Sequence, residues 1–364
     1  MTMNIPATGK ALLLAFLIAA PSILTGCKMK SGGKASEDSI FNLPEGQAPG
    51  ALRIDSIYCR DPFIVADEAS KTYYLYRSIP AKESGNGRGA VEAFASKDLR
   101  NWYGPERVFT VPEDNSLTGV VWAPEVHRYK DSWYIFATLN TDRTWAESVD
   151  GWPPFTYRGT QTFKADSPEG PFLPLAKEPV TPKDFMALDG TLWVEDGIPY
   201  MIFCHEWVQI LDGTFEAMPL KEDLSAAAGD PVTLFKASDA AWTSPVALWT
   251  EQDGSKREAY VSDGNFVYRT KDGELLILWS SMEDGRYCVA ISRSESGTLA
   301  GPWKCDDEPI FREDGGHPMV FKDFDGQLHL LIHQPNSGFC HPVILDLEDT
   351  GRTLVIKDTT DKPA

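Results

Sequence analysis

The sequence predicts an all-β protein, a five-bladed β-propeller. Three observations carry this prediction: a strand–turn–strand unit recurs about every sixty residues, Asp-Gly-like turns separate the paired strands, and helical periodicity is scarce. The unit appears five times, beginning at Asp61, Trp122, Asp189, Asp263 and Gly316. A sheet this small cannot bury both of its faces alone, so the units must stack. Five similar sheets stacked around an axis form a propeller.

Each unit opens with polar residues, followed by an apolar strand, a turn and a second strand rich in aromatic residues. The turns of the last four units read KDS, EDG, KDG and FDG, which are hairpin signals between Val, Ile, Phe, Tyr and Trp. A third strand follows and ends in a charged turn. We therefore expect three or four antiparallel strands per unit, with a β-sandwich or an irregular β-helix as the alternatives.

The N-terminal 26 residues predict a signal peptide, because Lys10 precedes an apolar run too short for a comfortable membrane span. The run ends in Leu24-Thr25-Gly26-Cys27, which resembles a bacterial lipobox and implies lipidation of Cys27. An ordinary signal peptide with a chance cysteine is the alternative. Residues 27–52 predict a flexible tether, and the propeller domain then spans residues 53–364. We expect a lipid anchor in a bacterial cell envelope, either periplasmic or at the cell surface.

The net charge of −19 and the pI of about 4.7 exclude a nucleic-acid-binding role, which needs a basic surface. Acidity fits a protein that acts on neutral or weakly charged ligands, although it could serve solubility alone. The cysteines lack CxxC spacing, so a zinc cage is not expected, and no ATP, NAD or flavin motif is present. We expect a monomer that requires no cofactor.

The starts of the inner strands and the ends of the strands that follow them surround one central pocket in a propeller. The candidate catalytic residues there are Asp61, Asp189, Glu206 and Asp263, and the candidate substrate contacts are Arg60, Trp122, Glu125, His205, Trp207, Trp242 and His317. Carboxylates that converge on one pocket suit acid–base chemistry, and in particular glycoside hydrolysis. The tryptophans would stack on sugar rings.

These residues resemble glycoside hydrolase family 43, inverting five-bladed propellers that act on arabinose- and xylose-containing glycans. The first-blade Asp-Pro of the family matches Asp61-Pro62, and the resemblance makes Asp61 the general base. The third-blade Asp matches Asp189, which the resemblance makes the residue that orients the acid and raises its pKa. Trp122-Ala123-Pro124 matches a second-blade motif. Gly316-His317 matches a fifth-blade motif whose His lies near a cation or water cluster, which implies a possible structural Ca²⁺ beside His317.

The fourth blade departs from the family pattern. The family has Glu-Gly-Pro or Glu-Ala-Pro there, with Glu as the general acid, whereas this chain reads Ser262-Asp263-Gly264-Asn265. Either Asp263 is the acid, or Glu206 in the segment CHEWVQ has taken its place. A third possibility is that the acid is lost and the protein only binds sugar.

Structural roles remain open for the same residues. Asp61, Asp189 and Asp263 could each cap a turn. Glu206 could belong to a structural ion pair, and His317 could be a core histidine.

The sequence therefore predicts an inverting glycosidase of envelope glycan degradation. Its substrate would be arabinofuranose or xylose on a plant-type polysaccharide or oligosaccharide, with a galactofuranoside or galactoside still open. The rivals are a non-catalytic glycan-binding lipoprotein and a retaining fructan-type hydrolase. Carboxyl separation distinguishes the two hydrolases, at roughly 5 Å for retaining and roughly 6.5 to 9.5 Å for inverting enzymes.

Overall fold

The computed structural model describes residues 39–44, 49–79, 82–85, 87–146, 152–251 and 253–357. These residues form five four-stranded antiparallel sheets, each a meander of strands in sequence order, and one additional hairpin. Blade one contains β1 (Phe63–Asp67), β2 (Thr72–Ile79), β3 (Ala90–Ser96) and β4 (Trp102–Thr110). Blade two contains β5 (Val121–Tyr129), β6 (Ser132–Ala146), β7 (Phe155–Ala165) and β8 (Leu173–Pro174). Blade three contains β9 (Ala187–Glu195), β10 (Ile198–His205), β11 (Thr214–Pro219) and β12 (Val232–Lys236).

The additional hairpin lies in sequence between blades three and four and consists of β13 (Ala247–Thr250) and β14 (Lys256–Ala259). Blade four contains β15 (Asp263–Arg269), β16 (Leu275–Glu283), β17 (Arg286–Ser294) and β18 (Trp303–Cys305). Blade five contains β19 (Gly316–Lys322), β20 (Leu328–Gln334), β21 (His341–Asp349) and β22 (Leu354–Ile356). The helical residues described are α1 (Trp207–Ile210) and two 3₁₀ turns (Ile54–Ser56 and Ala237–Asp239).

The first strand of each blade lines the centre of the ring. Strands β1, β5, β9, β15 and β19 contact one another in that order, and β19 contacts β1, so the ring is closed. This confirms the predicted five-bladed β-propeller. The inner strands begin within two residues of the five expected unit starts.

Hydrophobic clusters lie between adjacent blades and hold the sheets face to face. Between blades three and four, the ring of Phe215 stacks on Phe235 with centroids 4.5 Å apart, and the edge of Trp279 contacts Phe215 at 5.1 Å. Fully burying one such side chain stabilises the fold by about 1.5–3 kcal/mol. Because both faces of each sheet pack against neighbouring blades, the strands are continuous apolar runs in the sequence.

Blade five is built entirely from C-terminal strands, so loop and side-chain contacts join it to blade one. The N–H of Cys59 donates to the carbonyl of Cys340 at 2.9 Å. The N–H of Phe324 donates to the hydroxyl of Tyr73 at 2.9 Å, and the two rings stack with centroids 4.1 Å apart. Because blades five and one share no strand, hydrogen bonds and ring contacts of this kind close the ring.

The described part of the predicted tether differs from expectation, because it packs on the propeller. Phe41 is buried against Tyr74, with ring centroids 5.9 Å apart. The hydroxyl of Ser39 donates to Glu169 at 2.7 Å, and Leu52 exchanges backbone hydrogen bonds with Trp102. Ser39, Phe41 and Leu52 therefore pack with the folded domain.

The predicted signal peptide and the lipidation site at Cys27 lie outside the described residues. Among the residues that the structure describes, no helix is both long enough and apolar enough to cross a membrane.

Candidate active site

One backbone position recurs at the start of the inner strand of every blade. The residue there has a positive φ: Asp61 (52°), Ala123 (40°), Asp189 (56°), Gly264 (40°) and His317 (57°). In blades two to five the strand register shifts at this position, as it does at a β-bulge. The left-handed conformation costs a residue with a Cβ about 1–2 kcal/mol, and such strain is concentrated at functional sites.

The repeated bulge brings acidic side chains around His317. Its Nδ1 lies 3.3 Å from Oδ1 of Asp61, 4.0 Å from Oδ2 of Asp189 and 3.9 Å from Oδ1 of Asp263. A second histidine, His333, places its Nδ1 3.2 Å from the same oxygen of Asp61 and accepts the Asp61 N–H at 3.2 Å. Two imidazoles therefore contact Asp61 from neighbouring strands of blade five.

A cavity of about 380 Å³ adjoins this cluster. The four carboxyl groups predicted to be catalytic all line it: Asp61, Asp189, Glu206 and Asp263. The structure thus brings together side chains from blade one, blade three and blade four. We refer to it below as the catalytic cavity.

Glu206 reaches the catalytic cavity from the turn between β10 and α1. Its N–H donates to the carbonyl of Met186 at 2.9 Å, and its side chain is buried. The guanidinium of Arg158, on β7 of the neighbouring blade, forms an ion pair with the Glu206 carboxyl group. The same guanidinium lies over the ring of Trp122, 4.7 Å from its centroid. Glu206 is therefore held between two blades.

The pKa of Glu206 is raised to about 7, first because the group is buried, and second because Asp263 is negatively charged. Arg158 opposes both effects and keeps the pKa from rising further. A carboxyl group that retains its proton near neutral pH can serve as a general acid. The sequence assigned the role of raising this pKa to Asp189, but the acidic neighbour that acts on Glu206 is Asp263.

The surroundings of Asp61 shift its pKa in the opposite direction from that of Glu206. Burial alone would raise its pKa, but His317, His333 and Arg60 together hold the pKa well below the usual range. Asp61 therefore stays ionised, as a general base must be. The pKa of Asp189 is raised well above its usual range by burial and by the charges of Asp263 and Asp61.

Asp263 is fixed by two donors. The Tyr287 hydroxyl donates to its Oδ2 at 2.8 Å, and the N–H of Gly264 donates to its Oδ1 at 3.0 Å. Asp263 precedes the positive-φ residue of blade four, so it occupies the position that Arg60 and Trp122 hold in the first two blades. It is thus not the structural counterpart of Asp61.

Three of the predicted substrate contacts line the catalytic cavity: Arg60, Trp122 and Trp207. The side chain of Trp122 is 38% exposed, which leaves a ring face accessible to a sugar. Arg60 donates to the carbonyl of Asn336, and its Nε lies 3.8 Å from Asp61.

Two other predicted substrate contacts do not reach the cavity. Glu125 is buried and forms a hydrogen bond of 2.8 Å with Nε2 of His127. Trp242 is buried in the core between blades three and four and packs on Trp279 at 5.1 Å. Both expectations are corrected, because these side chains are committed to the interior of the protein.

His205 is also corrected, because it lies behind the cavity wall. Its ring stacks on Phe185 with centroids 3.9 Å apart, and its Nε2 bonds to Oε1 of Gln209 at 2.9 Å. Burial lowers the pKa of His205. Since Gln209 belongs to α1, His205 supports the turn that carries Glu206 and does not face the substrate.

One group of residues could hold a cation. Ligand atoms of Asp189, Asp263 and His317 lie within 4.8 Å of one another, and Nδ1 of His317 is buried without a hydrogen-bond partner among the described residues. The carboxylates fit a hard cation such as Ca²⁺, whereas an imidazole nitrogen is more typical of transition metals. The residues therefore fit a cation held mainly by the two carboxylates, with water in the remaining positions.

Sequence reasoning missed three residues of the site: Tyr58, Arg158 and Tyr287. Tyr58 lines the catalytic cavity beside Arg60. Arg158 and Tyr287 come from the third strands of blades two and four, whereas the sequence search used only strand starts and hairpin ends. A polar residue inside a third strand was the only signal available, and it does not identify a partner.

Known proteins resemble this chain in sequence and in fold. The sequence model described as Glycosyl hydrolases family 43 matches residues 55–362. No curated protein matches the chain. An endo-arabinase from Bacteroides thetaiotaomicron VPI-5482 is 36% identical, with a TM-score of 0.71 over 84% of this chain and 100% of that one.

Two further solved structures share the fold. An alpha-L-arabinofuranosidase from Lactobacillus brevis is 16% identical, with a TM-score of 0.63 over 83% of this chain and 96% of that one. An endo-1,4-beta-xylanase from Bacteroides thetaiotaomicron VPI-5482 is 20% identical, with a TM-score of 0.61 over 84% of this chain and 96% of that one.

Proposed function

This chain belongs to glycosyl hydrolase family 43 and is a glycoside hydrolase, and from that premise we propose an inverting enzyme that cleaves arabinofuranosyl linkages in plant-type glycans. The proposal rests on one observation. Asp61 and Glu206 line the same cavity, and their surroundings move their pKa values in opposite directions. Carboxyl groups whose pKa values are separated in this way can act as base and acid at one pH.

In the proposed mechanism, the ionised Asp61 accepts a proton from a water molecule, which attacks the anomeric carbon. Glu206 gives its proton to the leaving glycosidic oxygen, so the bond to the leaving group breaks as the bond to water forms. Arg158 orients the Glu206 carboxyl group by donating a hydrogen bond to its Oε2. The accessible faces of Trp122 and Trp207 would support the sugar rings on either side of the scissile bond.

Asp263 and Asp189 support the proposed base, Asp61, and the proposed acid, Glu206, without exchanging protons with the substrate. The charge of Asp263 keeps the pKa of Glu206 high, and Asp189 accepts the N–H of Gly264 at 3.0 Å, which fixes the backbone at the start of β15. A cation bound by Asp189 and Asp263 would supply positive charge to this acidic cluster. Glycosidases of this family generally need no cofactor, and no step above requires the cation.

An arabinofuranosyl substrate is supported by the endo-arabinase, the whole of which aligns with 84% of this chain. Xylosyl glycans are the second choice, as the sequence resemblance implied. The proposal places the enzyme in a bacterial envelope through a lipid on Cys27, where it would meet glycan fragments released outside the cell.

The proposal is tested by incubating residues 39–364 with p-nitrophenyl arabinofuranoside, xyloside, galactofuranoside and galactoside, and with arabinan and xylan. We expect turnover of the arabinofuranosyl substrates and release of the inverted anomer in proton NMR. The retained anomer would refute the inverting mechanism. Turnover confined to another glycan would refute the arabinofuranosyl assignment.

Three variants assign the roles of the carboxyl groups. Asp61→Asn should abolish turnover of every substrate, because the amide that replaces the carboxylate cannot accept a proton from the water. Glu206→Gln should lower kcat on arabinan by about 10²–10⁴-fold and much less on an aryl glycoside, whose leaving group needs no proton. If Asp263→Asn shows that leaving-group dependence and Glu206→Gln does not, Asp263 is the acid.

A further inference from the structure

A second cavity, of about 320 Å³, is lined in part by Arg158, the partner of Glu206 of the catalytic cavity. Its walls come from the loop before β5, from β6 and β7, and from the loop before β9. The volume is at the lower end of the range of ligand pockets, about 300–1,000 Å³, and suits a single sugar residue. We call it the side pocket.

The charge of the side pocket is opposite to that of its neighbour. Three of its ten lining residues are cationic, namely Arg143, Arg158 and Lys183, and one, Glu178, is anionic, although the whole chain has only 34 Lys and Arg among 364 residues. The catalytic cavity, by contrast, is lined by four carboxyl groups. A cationic pocket in a protein of net charge −19 favours an anionic ligand.

The cations of the side pocket differ in what they already contact. Lys183 forms an ion pair with Glu178, whereas no carboxylate of the described residues pairs with Arg143. One Arg143 nitrogen donates to the carbonyl of Ser116 at 3.1 Å, and the guanidinium lies over the ring of Tyr157 at 5.2 Å. Arg143 is therefore oriented by neutral groups and keeps donors for a ligand.

Arg158 connects the two cavities. Its Nη1 bonds to Glu206 on the catalytic side and its Nη2 donates to the hydroxyl of Thr156 at 2.9 Å, while the residue also lines the side pocket. The side chain is 10% exposed, and its Nε is buried with no hydrogen-bond partner among the residues described. A buried guanidinium with an unused donor is costly unless a ligand or water completes its hydrogen bonds.

The remaining walls suit a sugar ring. The side chain of Tyr157 is exposed, and Pro179, Pro182 and Leu117 add apolar surface. Sugars present C–H faces to aromatic and apolar side chains, while a planar carboxylate matches the fork of a guanidinium.

We propose that the side pocket is a subsite for a uronic acid residue of the substrate, whose carboxylate binds Arg143 while its ring packs on Tyr157. The enzyme would then prefer glycans that carry an acidic sugar next to the linkage it cleaves. This inference rests on the proposed function. A sulfated sugar has the same negative charge, and the experiment separates the two.

The test compares an acidic arabinan-bearing polysaccharide with the same preparation after its uronic acids have been reduced to neutral sugars. Carboxyl reduction should lower kcat/KM of the wild type about tenfold, as expected for the loss of one charge-assisted hydrogen bond. Arg143→Met should bring kcat/KM for the untreated polysaccharide down to the value for the reduced one. Equal hydrolysis of both preparations by the wild type would overturn the inference while leaving the proposed function intact.

Arg352→Met is the matched control, because Arg352 is an exposed cation between β21 and β22 of blade five. It removes the same charge from the protein and should retain the preference for the acidic polysaccharide. If Arg352→Met loses the preference as Arg143→Met does, the effect belongs to net charge and the subsite is refuted.

Binding is measured separately from hydrolysis by titrating the Asp61→Asn protein with galacturonate, glucuronate, galactose and inorganic sulfate in a calorimeter. We expect the uronates to bind, galactose and sulfate to bind at least tenfold more weakly, and Arg143→Met to abolish uronate binding. If the Asp61→Asn protein binds uronates but the wild type hydrolyses no polysaccharide, the subsite is sustained and the proposed function is refuted. Sulfate binding as tight as that of the uronates, or no uronate binding, would overturn the subsite.

Discussion

Gly264 lies directly against His317. A Cβ on Gly264 would come within 2.7 Å of Cα and of Cγ of His317, and φ of Gly264 is 40°. The N–H of Gly264 donates to both Asp189 and Asp263, at 3.0 Å in each case. Backbone thus occupies the position in blade four that the Asp61, Asp189 and His317 side chains occupy in their own blades.

Gly264→Ala should destabilise the protein by about 2–5 kcal/mol, because it combines left-handed strain of about 1–2 kcal/mol with overpacking of about 1–3 kcal/mol. Activity should fall as well, since the added methyl group displaces His317 from Asp61. Urea denaturation measures the stability. The control is Gly273→Ala, where φ is 95° but no atom lies within 4 Å of the added Cβ. Equal destabilisation by the two variants would contradict the steric argument.

The pH dependence of kcat/KM should have only a basic limb across the neutral range. Glu206 must be protonated to act as an acid, and its pKa is about 7, so activity should decline as pH rises through 7. Asp61 must be ionised, and its pKa is well below the usual range, so activity should persist to about pH 4 or lower. A basic limb below pH 6, or an acidic limb near neutrality, would contradict these assignments.

Two variants should move the basic limb in opposite directions. Asp263→Asn removes a negative charge that raises the pKa of Glu206, so the limb should move to lower pH. Arg158→Met removes the cation that lowers that pKa, so the limb should move to higher pH. We expect shifts on the order of one pH unit, read from kcat/KM between pH 4 and 9.

Arg128→Met is the control for these shifts, since Arg128 is an exposed cation of the same blade that lies over Trp133. It should leave the limb in place. Shifts of the same sign in Asp263→Asn and Arg158→Met would show that these charges do not act on Glu206 directly.

The fold was predictable because each blade is a local pattern repeated five times. The expected unit starts at Asp263 and Gly316 coincide with the first residues of β15 and β19. The carboxyl groups of Asp61 and Asp189 were found for the same reason, since they lie at one position of the repeat. The bulge was not visible in the sequence. Asp263 was therefore taken as the blade-four residue of this repeat position, although the residue with the positive φ in blade four is Gly264.

The errors share a physical cause, which is packing between blades. Trp122 and Trp242 are both tryptophans near a blade start, but only the first has a ring face open to the cavity, and neighbouring strands decide this. The partner of Glu206 is 48 residues distant in sequence and lies on another blade. Which side chains meet across blades depends on tertiary geometry that a repeat pattern does not contain.

The buried acid should also lower stability as pH rises. The pKa of Glu206 is about 7 in the folded protein against 4.5 for the free side chain, so its favourable contribution is complete below pH 4.5 and is lost as pH rises through 7. Glu206→Gln cannot titrate. Between pH 4.5 and 8, the wild type should therefore lose up to about 3 kcal/mol of unfolding free energy relative to this variant.

Urea denaturation of both proteins at pH 4.5, 6 and 8 tests the prediction, because Asp61, Asp189 and the other groups titrate in both and cancel in the difference. The difference should change most steeply between pH 4.5 and 7 and should level off above about pH 7, where the basic limb of the activity profile lies. Parallel stability curves would mean that Glu206 is ionised throughout and is not the proton donor. A stability difference that levels off at the pH where activity declines would attribute both to one carboxyl group, kept protonated at the expense of stability.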